Sequence, residues 1–110
     1  MIATVTMNPA VDKTVELDAL SLNGVNRIKS IRLDAGGKGI NVSKTIAALG
    51  GSSLAAAILG GFGGEMISRA LAEQKIEGFF VWCGGETRTN LKIVDKVKAG
   101  NTDINEPGQQ

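Results

Sequence analysis

The alternation of apolar and polar positions divides the chain into short strands and two helices. Ile2 to Met7 is a brief, mostly apolar run that predicts a buried strand, closed by Asn8-Pro9, where proline removes a ladder donor and favours a turn. Asp12 follows that turn directly. Thr14 to Leu17 and Ser30 to Asp34 each alternate with period two on either side of Asn23-Gly24, which predicts a half-exposed antiparallel ribbon. Ile28 is out of register with Ile31 and Leu33, so a bulge is expected there. Val42, Ile46 and Leu49 then recur at helical spacing, with Asn41 as a plausible cap and Gly50-Gly51 as the stop. Ser53 to Leu59 predicts an apolar strand. After Gly60-Gly61-Phe62-Gly63-Gly64, a second amphipathic helix is expected through Met66, Ile67, Ala70 and Leu71, ending near Gly78. Phe79 to Trp82 predicts another apolar strand, and Thr89 to Val94 alternates cleanly.

Strand, ribbon, helix, strand, helix, strands is the order of an α/β sheet with flanking helices and a small β projection. The reading is of one domain over 1–110, its ribbon at about 13–34. There is no internal repeat, low-complexity tract or long linker. The tail from Gly100 to Gln110 is polar and contains Asn105-Glu106-Pro107-Gly108, which reads as a turn. A sheet stopping there would keep an uncovered edge, so the fold is expected to be incomplete at its C-terminal side.

The 110 residues allow at most one domain, and 43% apolar residues suffice for a core. A net charge of +1 gives no field to recruit nucleic acid or an anionic membrane, so anion binding must come from a few placed side chains. The single cysteine, Cys83, cannot close an internal disulfide, and no histidine is present for a zinc cluster or a histidine-dependent triad. No Cys/His metal site is expected, and a general base must be a carboxylate or come from outside the chain. Residues 1–9 lack the n- and h-regions of a secretory signal, and no apolar run approaches a membrane span. A cytoplasmic location is the simplest expectation.

Ala35 to Lys44 joins a glycine-rich bend to a helix start with Lys38 inside the bend, a junction that aims backbone N–H groups and a cation at one point. The glycines around Lys38 let a ligand approach the backbone, or they are only geometric and Lys38 is an exposed loop charge. Arg88, Asn90 and Lys92, two apart in a strand, share a face, while Leu91 and Ile93 point the other way into a core. The row is either a solvated outer face or a phosphate grip with an amide for sugar hydroxyls. Asp12 either stabilises its turn or accepts hydrogen bonds from paired hydroxyls, and Asn41 can cap and bind at once. Arg27, Lys29 and Arg32 either guard a ribbon edge or, for Arg27 foremost, reach a phosphate from a flap. Gly60 to Gly64 could hold an anion or serve close packing. The P-loop pattern fails because Gly39 follows Lys38, and the dinucleotide fingerprint fails because Val42 stands at its third glycine.

Four blocks in order, Thr6-Met7-Asn8-Pro9-Ala10-Val11-Asp12, Gly36-Gly37-Lys38-Gly39-Ile40-Asn41-Val42, Gly60-Gly61-Phe62-Gly63-Gly64-Glu65 and Thr87-Arg88-Thr89-Asn90-Leu91-Lys92, closely resemble the start of a ribokinase-like (PfkB) sugar kinase. Within that family they look most like the branch of 1-phosphofructokinases and tagatose-6-phosphate kinases. The resemblance covers essentially the whole chain but only the family's N-terminal portion. It implies a ribokinase-like fold whose ribbon is a lid, ATP-dependent phosphorylation of a phosphorylated ketohexose with Mg²⁺, and a homodimer through the lid. By matching motif, Asp12 and Asn41 would bind sugar hydroxyls, and Gly36, Gly37, Lys38 and Gly39 would shape the pocket. Arg88 and Asn90 would hold phosphate and hydroxyls, with Lys38 and Arg27 as further phosphate contacts. The family's Gly-Ala-Gly-Asp segment, which supplies the proton-accepting aspartate, does not occur here, nor does the ATP site, so this segment alone should be inactive. A noncatalytic sugar-phosphate-binding or dimerisation module is the competing expectation.

Overall fold

A computed structural model describes residues 2–107. Three parallel strands, β1 (Ala3–Thr6), β4 (Leu54–Leu59) and β5 (Glu77–Trp82), form one sheet in the order β1-β4-β5. A second sheet has the order β3-β2-β6-β7, built from β2 (Ala10–Leu17), β3 (Ser30–Gly36), β6 (Arg88–Asp95) and β7 (Gly100–Asn105). Only its β2–β6 pair is parallel. Helices α1 (Lys38–Ala48) and α2 (Gly61–Glu73) complete the described elements.

The core is where one face of the three-stranded sheet meets the helices. Ala55, Ala57 and Leu59 alternate inward along β4 and pack with Ile40 of α1, Ile67 and Leu71 of α2, and Ile76. Val11 and Ala35 join that cluster from β2 and β3, so α2 bridges the two sheets. Buried Ser43 on α1 bonds to Thr4 Oγ1 at 2.7 Å and accepts from Ser53 Oγ at 2.9 Å, which ties the helix to β1 and to the entry of β4. The opposite face of the three-stranded sheet is bare: Val5, Phe79 and Val81 are all more than half exposed around a wholly apolar depression.

Several local expectations shift. The projection is wider than a two-stranded ribbon, because β6 and β7 pair onto it. The polar tail contains a strand: Gly100–Asn105 pairs antiparallel with β6. Gly108 of the expected turn lies outside the described residues. Ile28 precedes β3, and the β2–β3 register runs without a bulge from Glu16–Ser30 to Ala10–Gly36. α2 begins at Gly61, so most of the glycine run is its first turn, and it ends at Glu73 with Gly78 inside β5. Leu91 and Ile93 are only half-buried, outside the central cluster.

Candidate functional site

Two crossings between the sheets build the site. β1 leaves the three-stranded sheet through Met7 to Pro9 and becomes β2; β3 returns through Gly36-Gly37 and becomes α1. Gly37 has φ +129°, a conformation open to glycine, and a Cβ there would press on Thr6 Cγ2 at 2.6 Å. Gly39 is equally confined, with Thr6 Oγ1 and Val5 O within 2.8 Å of a built Cβ. The bend is therefore laid directly on the end of β1. Its carbonyl at Ala35 is held by Lys44 Nζ at 3.0 Å.

The expected helix cap is replaced. Asn41 lies inside α1, whose N-cap is Gly37, and no side chain caps the helix from that position. Thr6 takes the role from a neighbouring strand: its buried hydroxyl oxygen accepts the Ile40 N–H at 3.0 Å. A buried hydroxyl in an apolar strand needs a partner, which was the available sequence signal for Thr6.

Strand register brings the polar side chains together. Asp34, Asp12, Asn90 and Asn105 lie side by side across β3, β2, β6 and β7, with Arg32, Thr14, Lys92 and Asp103 in the next row on that face. Where this face meets the β3–α1 bend, a cleft of about 480 Å³ opens, lined by Asp12, Gly37, Lys38, Gly39, Asn41, Arg88 and Asn90 together with residues 5–8. Gly36 sits beneath it, its open Cα against the Asp12 carboxylate. A second cleft of about 280 Å³ shares Asp12 and Asn90 and is lined by Lys92, so the expected Arg88-Asn90-Lys92 row spans two adjoining hollows.

Arg88 donates from Nη2 to the Asn8 carbonyl at 3.2 Å and from Nη1 to the Glu106 carbonyl at 3.5 Å. Its buried Nε has no partner among the described residues. Asn90 Nδ2 reaches Asp12 Oδ1 at 3.5 Å, while Asn90 Oδ1 is likewise buried and unpartnered. A charged donor and an acceptor without protein partners, on two residues that line one cleft with a carboxylate and an exposed lysine, suit a ligand that is anionic at one end and rich in hydroxyls elsewhere.

Arg27 is not brought in: it is exposed in the segment between β2 and β3 and lines neither cleft. Lys29 pairs with Asp18 at 2.8 Å and Arg32 with Asp34 at 2.9 Å. The glycine run at α2 receives an internal carboxylate, since Glu86 Oε1 accepts the Gly63 N–H at 2.8 Å.

The pfkB family carbohydrate kinase model matches residues 5–109. A 1-phosphofructokinase of Xanthomonas campestris pv. campestris is 43% identical over 107 residues, which is 97% of this chain and 34% of that protein. One from Rhodobacter capsulatus is 39% identical over the same shares. Phosphofructokinase-2 from Escherichia coli, in its complex with fructose-6-phosphate, superposes with a TM-score of 0.91 at 31% identity, covering 97% of this chain and 35% of that one. The chain thus spans about a third of the length of the relatives it matches. With the family model aligned to nearly every residue and the fold shared with ribokinase-like phosphofructokinases, the chain belongs to the pfkB family of carbohydrate kinases.

Proposed function

We propose that this chain supplies the sugar-phosphate site of an ATP-dependent ketohexose-phosphate kinase that converts fructose 1-phosphate to fructose 1,6-bisphosphate. The observation that carries the reading is the meeting of Asp12, Lys38, Asn41, Arg88 and Asn90 in one cleft, with the Arg88 Nε and Asn90 Oδ1 left open. Arg88 and Lys38 anchor the phosphate already present on the sugar, and Asp12, Asn41 and Asn90 orient the hydroxyls. In the transfer, a new O–P bond forms at the acceptor hydroxyl as the terminal O–P bond of ATP breaks. The hydroxyl proton goes to a carboxylate that this segment does not provide. Among the described residues no group of three or more His, Cys, Asp or Glu side chains could hold a metal ion, and in the proposed enzyme ATP and Mg²⁺ would be held mainly outside this segment.

This division of labour is supported by the bare apolar face of the three-stranded sheet. Parallel sheets are normally covered on both sides, and in a family-length kinase the part outside this segment would supply the second layer together with the ATP site and the proton acceptor. A homodimer through the four-stranded sheet is the proposed assembly, because Ile31, Leu33 and Ile104 are exposed on the side opposite the polar rows. A phosphoryl-transfer assay on a complete kinase carrying this segment tests the reading. kcat/KM for fructose 1-phosphate should exceed that for tagatose 6-phosphate and for unphosphorylated fructose; a preference for unphosphorylated fructose contradicts it.

A further inference from the structure

We infer that Glu86 is a positioning residue that sets the strand carrying Arg88 and Asn90 by anchoring it to the start of α2; the inference rests on the proposed role of those two residues in the sugar-phosphate site. Residues 83–87 carry the chain from β5 of one sheet into β6 of the other, and β6 begins at Arg88. Gly60 and Thr87 exchange two hydrogen bonds, the Gly60 N–H to Thr87 Oγ1 and the Thr87 N–H to the Gly60 carbonyl, both at 2.9 Å. Glu86 adds the contact at Gly63 N–H in the first turn of the helix. That N–H has no intrahelical acceptor, and the positive end of the helix favours a carboxylate there.

The glycines of this turn are shaped to the crossing peptide. A Cβ at Gly60 would collide with the Gly85 carbonyl, and one at Gly61 with the Glu86 carboxylate. One at Gly63 would lie 2.9 Å from the Thr87 carbonyl. The run that reads as a possible anion site is thus a seat for residues 85–87, and its anion is Glu86 itself. Arg88 and Asn90 follow Glu86 by two and four positions; both line the cleft, and Arg88 Nε and Asn90 Oδ1 are buried without a partner among the described residues. Freed from the helix, the crossing loses a fixed point, and Arg88 loses the alignment that places its Nε.

Glu86→Gln keeps an acceptor oxygen, Glu86→Asp withdraws it by one methylene, and Glu86→Ala removes it. NMR of a complete kinase carrying this segment, titrated with fructose 1-phosphate, reads both halves of the inference, through hydrogen exchange at the Gly63 amide and through the dissociation constant from the Arg88 Nε–H resonance. Glu86→Ala should speed Gly63 exchange and weaken binding roughly 3- to 10-fold, Glu86→Asp should do so less, and Glu86→Gln should restore most of both. Unchanged affinity in Glu86→Ala, with binding intact in the wild type, overturns the positioning role alone. Should Glu86→Ala fail to fold, equal affinity in Glu86→Asp and the wild type overturns it equally. No titration of Arg88 in the wild-type kinase contradicts instead the site on which the inference rests.

Discussion

Asn90 and Asp12 stand side by side on parallel strands 78 residues apart in sequence, the Asn90 amide 3.5 Å from the Asp12 carboxylate and the Asn90 carbonyl oxygen buried without a partner. The donor is stretched and the acceptor has no partner among the described residues, as the proposed sugar site requires if a ligand hydroxyl is to complete the pair. Asp12→Ala and Asn90→Ala in a complete kinase should each lower kcat/KM for the sugar phosphate about 10- to 100-fold, the range of hydrogen bonds to charged groups. Because the two side chains touch and are proposed to share one ligand, the double variant should lose less than the product of the two. Steady-state kinetics of the four proteins measures that coupling.

Gly36 and Gly39, three residues apart, should respond differently to alanine. At Gly36 the new methyl meets the Asp12 carboxylate, which is the end of a side chain and can swing away, so sugar binding suffers more than stability. At Gly39 it meets the Val5 carbonyl at 2.8 Å and Thr6 Oγ1, neither free to move without disturbing β1 and the start of α1. Gly39→Ala should destabilise the fold by about 1–3 kcal/mol. Denaturant unfolding together with KM separates the two effects.

Ser43 sits fully buried between Thr4 and Ser53. Ser43→Ala leaves both hydroxyls short of a partner in a closed space and should cost about 1–3 kcal/mol, read as a fall in the urea midpoint without a change in slope.

Asp95, buried at the end of β6, accepts the Lys98 N–H and the Leu20 N–H at 2.9 Å each, and these bonds hold its carboxyl below the usual carboxylate range. Its contribution to stability is present above the pKa of an unfolded aspartate, about 3.9, and is lost as pH falls through the lowered folded value. Asp95→Asn should therefore be less stable than the wild type at neutral pH, with the gap closing in acid. Thermal unfolding of both proteins between pH 7 and pH 2 measures it. Glu16, lowered first by its bond from Lys96 and then by Ser30, acts in the same direction on the same sheet.

Most elements were legible because their side-chain pattern matches their burial. β4 reads as an apolar run and buries Ala55, Ala57 and Leu59, and α2 shows its inward stripe at Ile67 and Leu71, whereas β1 reads as apolar but buries Thr4 and Thr6 and exposes Val5. β7 was hidden because Gly100–Asn105 carries one large apolar residue and owes its form to pairing with β6. Asn41 reads as the cap of α1 because side-chain caps usually come from the residue beside the helix start, whereas Thr6 supplies it from 34 residues away. The polar residues of the site were each visible and each ambiguous. What joins them is the parallel β2–β6 pairing, which no local spacing encodes.

The central claim is that Arg88 recognises a phosphate on the sugar, and its most direct test compares two substrates in one variant. In a complete kinase carrying this segment, Arg88→Ala should lower kcat/KM for fructose 1-phosphate about 10- to 100-fold while changing that for unphosphorylated fructose by less than about twofold. Equal losses on both substrates, or no loss on either, would contradict the account.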